Sequence, residues 1–265
     1  MDKQFIFLSG IPRSGSQVLS SLLNQHPLLH GTTTSPLADL SIIVFENWPT
    51  LSLALTSPDP DQYSNIVTGL FQGTYKHIDK PIIVDKNRLW PRYITELNAT
   101  LKQKPKIICT VRDITDVIAS YILLINRNKD KITFIDQELI DLKLPITNKN
   151  RCRILLEKYI NHPYTSLRMG YNSSEVDMLF LEYNDIVGNS QHTLDRICDF
   201  IGIEHITANL NELRSMDEND NYHGGMHGLH EVRPVMQKTS PPSEQVIGME
   251  LYNYYKSMKL EFWRK

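Results

Sequence analysis

The stretch Gly10-Ile-Pro-Arg13-Ser14-Gly15-Ser16-Gln17 brings together residue types suited to holding an anion. An apolar run, Phe5 to Leu8, precedes it, and Val18, Leu19, Leu22 and Leu23 follow with helical spacing that ends near Gln25-His26-Pro27. A turn between strand and helix aims unpaired backbone N–H groups and the positive end of the helix at one spot. Gly10 and Gly15 stand five apart, as in the phosphate loop G-x-x-x-x-G-K-[ST]. Ser16 and Gln17, however, occupy the places of the lysine and the Mg-binding hydroxyl. The cation here is Arg13, inside the loop. A ligand-free turn of small residues is the simpler alternative, so the other strand ends must decide.

Val111-Arg112-Asp113 follows another apolar run, with Ser120 about two helical turns further on, so Arg112 can grip a second anionic group. The bland alternative is a local pair between Arg112 and an N-capping Asp113. Asp85-Lys86-Asn87 follows the run IIVD, which is similar to the strand-plus-Asp that holds Mg in NTPases. Glu182-Tyr183 follows a third run, where the aromatic either flanks a base or caps the core.

The elements that must position these residues are five buried strands: Phe5 to Leu8, His30 to Thr33, Ile82 to Val84, Ile107 to Val111 and Met178 to Leu181. Their nearly unbroken apolarity suits a parallel sheet covered on both faces. Helical patterns alternate with them, one after Asp113 as N-cap, then Ile154 to Leu167, Thr193 to Ile201 with Gly202 beyond it, and Glu244 to Met258. The expected fold is α/β, a single domain over residues 1–265 with a central parallel sheet of about five strands flanked by helices, P-loop-like. Residues 35–63, with four prolines, and 126–150 read as insertions, either helical or lid-forming, that shape substrate access. Residues 219–243, rich in Gly, His and Pro, read as a loop.

The 265 residues carry 28 basic and 30 acidic side chains, a net charge of −2, which disfavours a nucleic-acid surface and favours a small anionic partner. No apolar run approaches a membrane span, and no secretory h-region opens the chain. Cys109, Cys152 and Cys198 lack CxxC spacing and read as reduced thiols, pointing to the cytoplasm. Monomer and homodimer are equally compatible with this sequence.

Together "GIPRSGSQVLSSLLNQHP", "IIVDKN", "IICTVRDITDVIASY" and "LFLEYNDI" resemble the PAPS-dependent sulfotransferase superfamily, particularly the branch of tyrosylprotein and bacterial-type enzymes. The resemblance covers most of the first 200 residues in order and spacing, most densely in the first and fourth of these stretches. It implies PAPS as co-substrate and PAP as product. It assigns the 5′-phosphosulfate to Arg13, Ser14, Gly15, Ser16 and Gln17, the 3′-phosphate to Arg112 and Ser120, and the transferring group to Lys86. Tyr183 matches a position near the adenine, and "GLHEVRPVMQKTSPP" offers Arg233 and Lys238 to the 3′-phosphate.

The chain departs from the family at the catalytic base. No carboxylate follows the first helix until Asp39 and Glu46, and Lys86 is followed by Asn87 and Arg88 rather than His. Asp85, His30, Asp39 and Glu46 are the candidate bases. "HGGMHGLH" places His223, His227 and His230 at H-x3-H-x2-H spacing, read as a loop over acceptor or cofactor that supplies a further base, in preference to a zinc site. The acceptor is a small-molecule or tyrosyl hydroxyl, with phenols favoured because their pKa near ~10 demands least of a base. Two other readings stand beside this one: a non-catalytic binder of PAP or another 3′-phosphonucleotide, and a Mg-nucleotide phosphotransferase.

Overall fold

In the computed structural model, which describes residues 3–57, 59–214, 226–235 and 241–264, the five expected strands form one parallel sheet. They are β1 (Gln4–Gly10), β2 (Leu29–Gly31), β3 (Ile82–Lys86), β4 (Lys106–Val111) and β5 (Asp177–Glu182), in the order β2-β3-β1-β4-β5. Phe7 of β1 pairs with Asp85 on one side and Ile107 on the other, and Leu8 pairs with Lys86 and Ile108. This register brings the carboxyl ends of β1, β3 and β4 side by side, where ligands gather in open parallel sheets.

Period-two alternation explains the apolar runs. Phe5 and Phe7 enter a core on one face with Phe71, Trp90 and Ile118, whereas Ile6 and Leu8 enter a core on the other with Leu19, Ile108 and Ile197. Both faces are therefore dry, and each inward Leu, Ile or Phe contributes roughly 1.5–3 kcal/mol.

Helices α1 (Ser16–Leu23), α2 (Pro36–Asn47), α3 (Ser52–Thr56), α4 (Pro60–Thr74) and α5 (Ile94–Leu101) precede β4. Residues 35–63 are thus mostly helical, with Ser35 capping α2 through Leu37 N–H and Asp59 capping α4. Helix α6 (Ile114–Arg127) starts as expected at Asp113, whose carboxylate accepts from Thr115 N–H at 3.0 Å. Residues 126–150 supply its end, α7 (Phe134–Asp141) and the start of α8 (Asn148–Ile154).

The helix expected over Ile154 to Leu167 is longer and not uniform. Between α8 and α9 (Asn161–Tyr171), Leu155–Ile160 forms a widened π turn. Helices α10 (Tyr183–Gly188) and α11 (Ser190–Ile201) follow β5, and α11 ends at Gly202 with φ +89°. The last expected helix divides into α12 (Ser243–Ile247) and α13 (Met249–Lys256), because Gly248 adopts φ +85°. The described loop residues 226–235 contain neither helix nor strand.

Asp85 takes a structural place, which corrects its candidacy as a base and its likeness to a Mg-binding strand-end Asp. Its side chain is fully buried on the Phe7 face of the sheet. Trp90 Nε1 donates to Oδ1 at 2.8 Å, and the Tyr75 hydroxyl donates to Oδ2. Burial raises the Asp85 carboxyl above its ordinary pKa against the opposing pull of its hydrogen-bond donors, and burial likewise raises the Tyr75 phenol.

Asp85→Ala leaves the Trp90 and Tyr75 donors buried without an acceptor and should cost about 2–4 kcal/mol in urea denaturation. Asp85→Asn should cost less. Since the folded pKa of Asp85 lies above its unfolded value, its contribution is present in acid and lost as pH rises. The stability of the wild type relative to Asp85→Asn should therefore fall as pH rises through and above the ordinary carboxylate range.

Candidate anion-binding and transfer site

The loop after β1 is tied down before it presents anything. A Cβ on Gly10 would lie 2.2 Å from Thr110 Oγ1 and 2.4 Å from Thr110 O, so only glycine lets β1 run this close to β4. The Ser14 hydroxyl lies 2.7 Å from Thr110 Oγ1 and donates to the carbonyl oxygens of Ile11 and Thr110. Ser14 is fully buried. The expectation that its side chain faces an anion is corrected: its hydroxyl anchors the loop to β4.

With Ser14 turned inward, Arg13 turns outward at φ +59°, an uncommon conformation for a residue with a Cβ. Its Nε donates to Ser120 Oγ at 3.2 Å and its Nη1 donates to the carbonyl of Leu229. Gly15, at φ +93°, sits at the N-cap of α1, which has no side-chain cap and no acidic residue in its first turn. The positive end of α1 therefore opens beside Arg13, Gly15, Ser16 and Gln17, all of which line one cleft.

Arg112 enters the same cleft from the end of β4. It is buried, its guanidinium lies 4.0 Å from the centre of the Tyr183 ring, and its Nη1 donates to Arg13 O at 3.1 Å. Its Nε is buried without a hydrogen-bond partner among the described residues. Burial lowers the pKa of the guanidinium, and the nearby phenol and carboxylates only partly offset that. The alternative of a local Arg112–Asp113 pair does not hold, since Asp113 bonds Thr115 and Lys256 instead.

Among the described residues, the cleft gathers Arg13, Lys86, Arg88, Arg112, Arg127 and Arg233 against the single carboxylate of Glu231. Such a wall calls for a ligand carrying several negative charges. Of the residues expected to hold the donor, Arg13, Gly15, Ser16, Gln17, Lys86, Arg112, Ser120, Tyr183 and Arg233 all line this cleft. Lys238 and His223 lie outside the described residues. Arg88 and Arg127 escaped the sequence reading, although Arg88 stands two residues beyond Lys86 and Arg127 two helical turns beyond Ser120.

A second cleft opens on the other side of Lys86. Thr33, Thr34, Ser35 and Asp39 form one wall, and Lys158, Tyr159 and His162 from the π turn and α9 form the other. Segment 126–150, expected to shape substrate access, sends Arg127 to the first cleft, while Lys158, Tyr159, His162 and Pro163 line the second. Among the remaining candidate bases, Asp39 is exposed in the second cleft, where Asn87 Nδ2 donates to it at 3.4 Å. Glu46 accepts from Tyr93 OH at 2.7 Å and lies outside both clefts, and burial, with Glu46 adding to it, pushes the Tyr93 phenol up to about 12. His30 also lies outside both, its imidazole held below its ordinary pKa by burial and by the nearby Lys80. Both outlying positions are corrections to their candidacy.

A family model described as "Sulfotransferase domain" matches residues 3–239. Among solved structures, the chain is similar to the sulfotransferase domain from the curacin biosynthetic pathway, with 16% identity, 95% of this chain and 98% of that chain covered, and a TM-score of 0.51. It is similar to a mouse sulfotransferase, SULT7A1, complexed with PAP, with 17% identity, 99% and 87% covered, and a TM-score of 0.53. For a sulfotransferase from Alicyclobacillus acidocaldarius the values are 14%, 98%, 95% and 0.50. At these identities the solved structures speak for the fold alone. A comparison with curated protein sequences gives no significant match.

Gly15→Ala should destabilise the protein by about 1–2 kcal/mol, because the new Cβ must hold a left-handed φ and would stand 3.1 Å from the Tyr183 ring. Urea denaturation measures the loss, and wild-type stability in that variant would contradict the loop conformation described here.

Proposed function

The chain belongs to the sulfotransferase domain family, and from that premise we propose that it transfers the sulfuryl group of PAPS to an acceptor hydroxyl, releasing PAP and a sulfate ester. The observation that carries the choice of donor is Arg112: a buried guanidinium whose Nε has no partner among the described residues, beside an open helix N-terminus, in a cleft that those residues line with six cationic side chains. A buried cation in that position asks for an anion, and a bisphosphorylated nucleotide supplies two phosphate groups.

Arg112 and Ser120 are assigned to the 3′-phosphate, together with Arg233 from the C-terminal segment, and the sequence resemblance adds Lys238. The backbone of residues 13–17, Arg13 and Lys86 are assigned to the 5′ side, and Tyr183 to the adenine. A transferring sulfuryl group carries less negative charge than a phosphoryl group, so negative charge grows chiefly on the leaving phosphate oxygen. Arg13, Lys86 and the loop amides can meet it there, each charged hydrogen bond contributing about 1.5–3 kcal/mol. No lysine at position 16 is needed for that. The second cleft is the acceptor side, and a phenol, with pKa near ~10, is the first acceptor expected. Its walls, among them Thr33, Thr34 and Tyr159, would then border the acceptor. The three described cysteines are free and buried, which supports a reducing compartment such as the cytoplasm. No helix among the described residues is long and apolar enough to cross a membrane.

PAP without Mg should stabilise the protein in thermal shift, by about 2.7 kcal/mol when present at about 100 times its Kd. Stabilisation only by ATP with Mg would instead support the phosphotransferase reading. Arg112→Ala should weaken PAP binding roughly 10- to 150-fold in calorimetry, the loss of about 1.5–3 kcal/mol. Incubation with PAPS and a panel of phenols, tyrosyl peptides, sugars and alkyl alcohols, read by mass spectrometry, should give a product with an added sulfuryl group, and Arg13→Ala and Lys86→Ala should each suppress it. PAP binding without product from any acceptor would favour the non-catalytic binder.

A further inference from the structure

The two clefts meet at the carboxyl edge of the sheet, and among the described residues three line both of them: Lys86, Arg88 and His230. On the function proposed above, on which this inference rests, the acceptor oxygen and the sulfur meet at that junction. The base that takes the hydroxyl proton must stand within hydrogen-bond reach of the same place. Lysine and arginine are ordinarily protonated at neutral pH and cannot serve, whereas an imidazole can accept a proton there. Asp39 faces only the acceptor cleft and Glu231 only the nucleotide cleft.

We propose that His230 is the general base of this enzyme, supplied by the C-terminal loop in place of a residue from the central strands. The loop is pinned on both sides of it. His227 N–H donates to Asn128 Oδ1 and Asn128 Nδ2 donates to His227 O, each at 3.1 Å, from a buried position at the C-terminus of α6. The Leu229 carbonyl accepts from Arg13 Nη1, so the residue before His230 is held by the anion loop itself. Beyond it, Val232 is buried beside Leu22 and Leu213, and Leu213 N–H donates to Pro234 O at 3.0 Å. These contacts hold His230 in the lining that the two clefts share.

The step balances within the site. As the acceptor oxygen forms its bond to sulfur, its proton passes to the His230 imidazole. The bond from sulfur to the phosphate oxygen breaks, and that oxygen leaves with the electron pair beside Arg13 and Lys86. The imidazolium then returns its proton to solvent.

The test pairs His230→Gln with two acceptors: an alkyl alcohol, and a nitrophenol assayed above its own pKa, already ionised and in no need of a base. The variant should lose about 10²–10⁴-fold in kcat with the alcohol and stay within about threefold of wild type with the nitrophenolate. Its PAP affinity by calorimetry and its thermal midpoint should match the wild type, and added imidazole should restore part of the alcohol rate in His230→Ala. An equal loss with both acceptors, a loss of PAP affinity or of stability, or the acceptor-selective loss appearing in Asp39→Asn instead, overturns the assignment. Absence of PAPS turnover in the wild type fails the underlying function, and the base falls with it. Wild-type turnover with no acceptor-selective loss fails the base alone.

Discussion

Gly10 and Thr110 approach so closely that a single methyl group between them would collide with both the side chain and the backbone of β4. Everything at the site follows from that approach. It brings the ends of β1 and β4 together, allows the Ser14 hydroxyl to bond three oxygen atoms at the seam, and commits Ser14 to the interior. The next residue back, Arg13, then has one direction left, outward over Ser120, at the cost of a left-handed φ. Backbone strain of this kind costs about 1–3 kcal/mol and persists only where surrounding contacts over-determine it. Here those contacts are the Ser14 hydrogen bonds below and Ser120, Leu229 and Arg112 above.

The electrostatics grow from the same seam. A protein of nearly balanced charge places six cations around one opening, so the field is local rather than spread over the surface. Arg112 is the most constrained of them. Buried over Tyr183 and bonded to the Arg13 carbonyl, it couples the geometry of the anion loop to the end of β4. An anion at Arg112 would relieve the desolvation that lowers its pKa and would reinforce the conformation of Arg13.

Much of this was legible in the chain because the signals are local. The five strands emerged from short runs of three to five residues, the α6 cap from Asp113, and the end of α11 from Gly202. The loop after β1 showed itself by two glycines and an arginine after a strand. Asp85 misled because a strand-end carboxylate looks alike in sequence whether it faces a cleft or a core. Its fate was decided by Tyr75 and Trp90, neither of them part of the strand-end motif. Ser14 misled for a related reason: adjacent loop residues point opposite ways, and only contact with Thr110 selects which one turns inward. The break at Gly248 and the π turn at Leu155–Ile160 depend on backbone geometry that apolar periodicity does not encode.

By itself, then, the sequence determined an α/β chain with a glycine-bounded, arginine-bearing loop after its first strand and cations after its third and fourth, because strand periodicity, turn chemistry and motif spacing act over a few residues. Only the tertiary structure decided the strand order β2-β3-β1-β4-β5, which carboxylates turn away from the clefts, and the arrival of His230 at their junction. Those outcomes depend on segments roughly 100 to 200 residues apart, such as Arg13 with Leu229 and Asn128 with His227. Their pairing depends on how whole layers pack, which no local pattern records.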